Sequence, residues 1–229
     1  MIHLDPPPSG PWVESWLSKP RLAKYLTAAD GHPQRALRLY EWNSQVSAAL
    51  MRDLAHLEIA LRNAYAEAIA EYWAGRSVDW TRSATTLFAP LIRNRNGRRV
   101  DINTQHREQL LAACARVRPT DPPGKVIAEL PFGFWRYLSS AAHEKTVWVR
   151  YLHRAFPPGA DRKRDVDNSA AALNRLRNRV AHHEPLIDED LIAASRRIIR
   201  LATLLNNRLG QYVAATSAVV YLVRQREEE

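Results

Sequence analysis

Between Leu39 and Tyr72 the sequence places apolar residues at steps of three and four: Leu39, Trp42, Val46, Leu50, Leu54, Leu57, Leu61, Tyr65, Ile69 and Tyr72. Such steps return to the same side of an α-helix, so these side chains form one stripe. A helix from about Gln34 to Trp73 is far longer than the roughly 10–14 residues usual in globular proteins. It is either one long arm or two helices with a bend near Asp53, and Gly75 closes it. Helical periodicity dominates the rest of the chain, and no alternating strand stands out. The reading is all-α, with about seven to nine helices and one principal domain.

Composition narrows what such a chain can do. A hydrophobic fraction of 46% over 229 residues excludes general disorder and is ample for a core. A single cysteine, Cys114, excludes a disulfide framework and a thiolate-rich zinc site. It fits a reducing, cytoplasmic setting. No run of about 18 apolar residues is present, so no membrane span is expected. The opening MIHLDPPPSGPW lacks the basic start and apolar stretch of a signal peptide. The formal net charge is +9, and 28 of the 33 cations are arginine, the better fork for phosphate oxygens. That balance permits an acidic partner such as nucleic acid.

Residues 1–18 read as an extended, loosely ordered leader, with PPPSGP at 6–11, and residues 19–229 as a single all-α domain. A short helix is expected from around Glu14 to Thr27, ended by Asp30-Gly31-His32-Pro33. The stretch RNRNGRRVD (93–101) is polar and basic, either a solvated loop or an RNA-contacting one. Helices follow over Thr104–Val117 and Glu144–Ala155, with KVIAEL (125–130) and the aromatic PFGFWRYL (131–138) between them. Asp165 or Asp167 can cap a helix through RLRNRVAHHE, which Pro185 must stop. DEDL (188–191) opens the next helix, and a last one spans Gln211–Gln225. Cys114, Trp135 and Tyr137 read as core residues, although the two aromatics could also stack on a base.

The densest chemistry lies at 177–182. Asn178 and His182 are four apart and share a helix face, whereas Arg177 is rotated away by roughly 140° but long enough to reach back. His182 falls in the last helical turn, where the carbonyl end favours a protonated imidazole. RNA phosphodiester cleavage requires a base for the 2′-hydroxyl, an acid for the leaving oxygen and a cation for the phosphoryl charge. His182 could supply the acid or base, Arg177 the cation and Asn178 an orienting hydrogen bond. The alternative from spacing alone is an ordinary surface or capping group, the commoner role of a helix-terminal histidine. Two copies across a dimer axis would supply both imidazoles. His182 and His183 are a weak metal pair, because adjacent helical residues diverge by about 100°. No metal or cofactor is needed by this scheme.

The stretch LRNRVAHHEP (176–185) resembles the Arg-x(4–6)-His signature of the HEPN superfamily, in the form carried by Abi-like (abortive infection) bacterial proteins. HLEIALRNAYAEAI (56–69) resembles that family's early helix and GKVIAELPFGFWRYL (124–138) its central motif, so the similarity spans roughly residues 20–205. The resemblance implies a HEPN-like helical bundle with additional helices. It also implies a metal-independent endoribonuclease of a phage-defence or toxin–antitoxin system, as a homodimer with a composite site and a possible antitoxin protein as partner. Arg177 and His182 match the motif's defining residues, and Asn178 its usual polar neighbour. Glu58, Arg62 and Asn63 are expected to brace the site helix, Glu58 and Arg62 being spaced for an ion pair. His183 and Glu184 join them as supporting residues.

Two basic segments are candidates for RNA contact: Arg93, Arg95, Arg98 and Arg99 in the first, Arg162, Lys163 and Arg164 in the second. The alternatives to a ribonuclease are a catalytically inactive HEPN-like RNA- or protein-binding module and a purely structural bundle.

Overall fold

A computed structural model describes residues 6–228, except the side chains of Arg95, Glu227 and Glu228. Residues 1–5 of the expected leader, and Glu229, therefore lie outside the described residues. The remainder of that leader is not wholly extended. Residues Pro11–Leu17 form a helix, α1, which buries Val13 and Leu17 against Leu37. A second helix, α2 (Lys19–Ala28), follows after a break at Ser18, whose φ is +67°. The expected continuous helix over 14–27 is thus two, because Pro20 lacks an N–H and its ring collides with the carbonyl four residues upstream.

The apolar stripe forms one unbroken helix, α3 (Pro33–Trp73), of 41 residues and about 60 Å. Pro33 opens it at the first helical position, where its missing N–H costs nothing. Val46, Leu50, Leu54, Leu57, Leu61, Tyr65 and Ile69 are buried along its length. The stripe closes on Trp73, whose Nε1 donates to the Val78 carbonyl at 2.9 Å, while Tyr72 faces solvent. Asp53 lies on the buried side of the same helix, and burial pushes its carboxyl above the usual range.

A short helix α4 (Ala84–Leu87) leads to a feature absent from the sequence reading, an antiparallel hairpin of β1 (Ile92–Arg95) and β2 (Arg98–Asp101). Asn96 and Gly97 turn it with φ of +51° and +77°, the left-handed pair required by a two-residue type I′ turn. Asp101 ties the hairpin down: it accepts from the Leu91 and Asn103 backbone N–H groups and pairs with Arg107 at 2.6 Å.

Helices α5 (Thr104–Ala115), α6 (Pro123–Glu129) and α7 (Phe132–Leu138) come next. The helix expected over Glu144–Ala155 is instead a wide π-turn, Glu144–Trp148, and a tight 3-10 turn, Leu152–Ala155. A second π-turn, Arg162–Asp167, runs into α8 (Asn168–Ala181). Its cap is Asp161, whose carboxylate accepts from the Arg164 N–H at 2.6 Å. Asp165 and Asp167, the expected caps, are wound into the π-turn and serve ion pairs instead.

The fold ends in α9 (Leu191–Leu205), capped by Asp190, then α10 (Asn207–Thr216), capped by Asn206, and α11 (Val219–Glu228). One continuous cluster of buried side chains runs from Val46 of α3 through Trp80, Trp135 and Leu173 to Leu222 of α11. With α3 packed on α2, α7, α8, α9 and α11, and strands confined to the hairpin, the chain is all-α. Among the described residues no helix is long and apolar enough to cross a membrane.

Candidate active site at the end of α8

One face of α8 is apolar. Ala170, Leu173, Leu176 and Val180, at steps of three and four, are buried and leave Asn178 exposed and Arg177 partly so. The helix stops at His182. The His182 N–H still reaches the Asn178 carbonyl at 2.9 Å, the His183 N–H bonds the Val180 carbonyl at 3.0 Å, and the Glu184 N–H bonds the Arg179 carbonyl at 2.9 Å. The last two bonds make a Schellman cap. Its left-handed position, usually glycine, holds His183 at φ +53°. Strain of that kind persists only where the surroundings over-determine the backbone.

Those surroundings are explicit. Arg179 reaches forward across the cap to Glu184 (Nε–Oε2 3.3 Å), to Glu189 and to the Pro185 carbonyl. Asn43, buried on α3, accepts the Leu186 N–H at 2.7 Å, and Arg226 of α11 donates to the Ile187 carbonyl at 2.9 Å. His182 and His183 therefore project into solvent from a backbone clamped on both sides. Of the clamp, Glu184 was expected as a supporting residue, whereas Asn43, Arg179, Glu189 and Arg226 were not among the candidates. Asn43 carried a signal, a polar residue four after Leu39 and three before Val46 on the apolar face, whereas the Arg179 contacts follow no helical spacing.

Arg177 leans toward α3, where its Nε lies 4.0 Å from Oε2 of Glu58. At that range the pair is loose, and the Arg177 side chain keeps 35% of its surface exposed. Most of its five N–H donors stay open to a further acceptor. Glu58 thus faces the site helix across the α3–α8 packing without holding it tightly. The expected Glu58–Arg62 pair does not form among the described residues: Arg62 is half-buried with its Nε unpartnered, and Asn63 is exposed.

The two basic segments fare differently. Arg93, Arg98 and Arg99 are exposed on the hairpin and make no ion pair among the described residues; the side chain of Arg95 lies outside the described residues. Arg162 departs from its expected role. With 10% of its side chain exposed, it donates to the Ser139 carbonyl at 2.7 Å and pairs with Glu144 and Asp167, so it braces the π-turn. Lys163 is exposed, and Arg164 is exposed but bound side by side to Asp165.

Trp135 is fully buried, as a core residue should be, but Tyr137 is exposed with the Arg136 guanidinium 4.3 Å from its ring centre. Cys114 packs partly buried, its Sγ 3.0 Å from the Thr81 carbonyl oxygen, and burial pushes its thiol pKa up. Among the described residues no group of three or more His, Cys, Asp or Glu side chains is placed to hold a metal ion.

The class defined by this geometry is an all-α protein with an arginine and a histidine presented at one clamped, solvent-facing helix end. The chain belongs to the Abi-like protein family, whose profile matches residues 21–188, from α2 through the loop that follows His182. No curated protein and no solved structure matches it.

Proposed function

We propose that this Abi-like protein is a HEPN-type endoribonuclease of an abortive-infection or toxin–antitoxin defence system. One observation carries the reading. The Arg-x4-His segment, inside the family match, sits on a rigid cap with His182 exposed and Arg177 only loosely held by Glu58. Such an end has both an exposed imidazole and a loosely held cation, and the clamp limits the wandering of the backbone that carries them.

In this scheme Arg177 binds a non-bridging phosphate oxygen and offsets the charge that grows in the transition state. His182 transfers the proton, as base toward the 2′-hydroxyl or as acid toward the leaving oxygen. One chain offers one such imidazole, so a homodimer with the site across its axis completes the acid–base pair. Asn178, one turn before His182, orients the imidazole or the ribose. No step assigned to these residues calls for a metal ion.

With only one of the two exposed histidines at this end, His182, at the motif position, the chain also fits a second reading, a catalytically inactive HEPN-like module that binds RNA or a protein. Expression in a bacterial host separates the two. The ribonuclease reading expects growth arrest with the wild-type chain and normal growth with Arg177→Ala and His182→Ala at equal protein levels. Equal tolerance of all three chains overturns it.

A further inference from the structure

Helices α8 and α9 pack side by side, and a cleft of about 640 Å³ opens between them. Five arginines line it: Arg164 from the π-turn, Arg175 from α8, and Arg196, Arg197 and Arg200 from α9. Ala171 and Ala172 of α8 and Ala193 of α9 line it as well. No carboxylate is among the residues that line this cleft, but the buried Asp165 pairs with Arg164 at 3.0 Å and with Arg200 at 2.6 Å. Those two cations hold its carboxyl far below the usual carboxylate range. Arg175, Arg196 and Arg197 are exposed and make no ion pair among the described residues.

The cleft does not end there. A narrower continuation of about 300 Å³ shares Arg175 and Arg197 and runs along α8 to Arg179. There the carboxylates are already engaged: Glu189 pairs with Arg179, and Asp190 accepts from the Ala193 N–H to cap α9. The trough therefore leads from the start of α8 to within three residues of His182, over a helix of 14 residues, or about 20 Å.

We infer that this α8–α9 trough binds the phosphate backbone of single-stranded RNA and guides the strand toward the His182 end of α8. Exposed arginines outside any ion pair, here Arg175, Arg196 and Arg197, are the groups that neutralise phosphates and release their counterions. A positively charged groove of this kind tracks the backbone of a single strand, whereas an A-form RNA duplex is bound across its wide, shallow minor groove. The inference rests on the RNA reading of the α8 end, but it concerns binding, so it can fail or stand separately from cleavage.

The test is made on full-length His182→Ala protein, which keeps the probe intact. An end-labelled, mixed-sequence single-stranded RNA is titrated by anisotropy across a salt series, with and without the added triple substitution Arg175→Gln, Arg196→Gln, Arg197→Gln. Three lost phosphate contacts flatten the slope of log K against log salt by about 2, since each contributes roughly 0.7 on a single strand. From 50 to 200 mM salt, the affinity of the parent protein then falls roughly 20-fold more than that of the triple variant. The three side chains are exposed, so an unchanged melting temperature is expected and shows that the fold is kept. Equal slopes and affinities overturn the trough as the RNA path. Tighter binding of a duplex of the same sequence, or of inorganic tripolyphosphate in place of RNA, overturns the single-strand assignment. A wild-type chain that does not cleave RNA, with the slope difference present, counts against the ribonuclease reading and leaves the trough standing.

Discussion

Below the hairpin two imidazoles lie against each other, His106 and His143, with ring centres 4.7 Å apart and both side chains buried. His143 is anchored, its Nε2 2.9 Å from Asn103 Oδ1 and its Nδ1 3.0 Å from the Tyr137 carbonyl oxygen. Burial, reinforced by the neighbouring His143, pushes the His106 pKa down from 6.5 to about 4, and burial lowers that of His143 as well. A group lowered in this way binds fewer protons folded than unfolded between those values. Its stabilisation is fully present above pH 6.5 and is lost as the pH falls toward 4. For His106 the loss between pH 7 and 4.5 is about 2–3 kcal/mol. The depressed carboxylates Asp101 and Asp165 act in a lower window, below about pH 4, so the two effects separate. Urea unfolding at pH 7 and 4.5 checks this: the wild type loses that amount, and His106→Leu loses correspondingly less. The same loss in both proteins contradicts the assignment.

Among the elements, α9 and α10 meet most closely. A β-carbon placed on Gly210 would lie 2.8 Å from the Thr203 Cα and nearer still to its hydroxyl. Gly210→Ala gains about 1 kcal/mol of helix propensity but forces the two helices apart, an overpacking cost near 3 kcal/mol. A net loss of about 2 kcal/mol in urea unfolding is expected, and an unchanged midpoint would show that the contact yields freely. How legible each element was follows from the same physics. The stripe on α3 was plain because every third or fourth side chain is buried along one partner-rich face. The hairpin was missed because IRNR and RRVD bury no alternating face; its stability comes from the Asn96-Gly97 turn and from Asp101, and only the turn leaves a sequence signal. The Asp165 and Asp167 caps were misplaced because the π-turn winds an extra residue before α8, which periodicity does not foretell.

At the scale of the whole molecule, the +9 charge distributes unevenly. Arg162 is used inside the fold, and Arg107 is neutralised by Asp101, while three hairpin arginines and those of the α8–α9 trough face solvent. The trough was invisible in the chain because its walls join residues some twenty positions apart on two helices. The Arg177–His182 end was legible because one helix turn carries it, but its clamp, built from Asn43, Arg179 and Arg226, needed the folded chain. The central proposal is that this end cleaves RNA through His182. The most direct measurement incubates the purified full-length protein with RNA in EDTA, wild type beside a His182→Ala variant of unchanged circular dichroism and melting temperature. The account predicts cleavage by the wild type and a loss of at least about 100-fold in the variant, the least that general acid–base catalysis contributes. Cleavage by His182→Ala at the wild-type rate would contradict it.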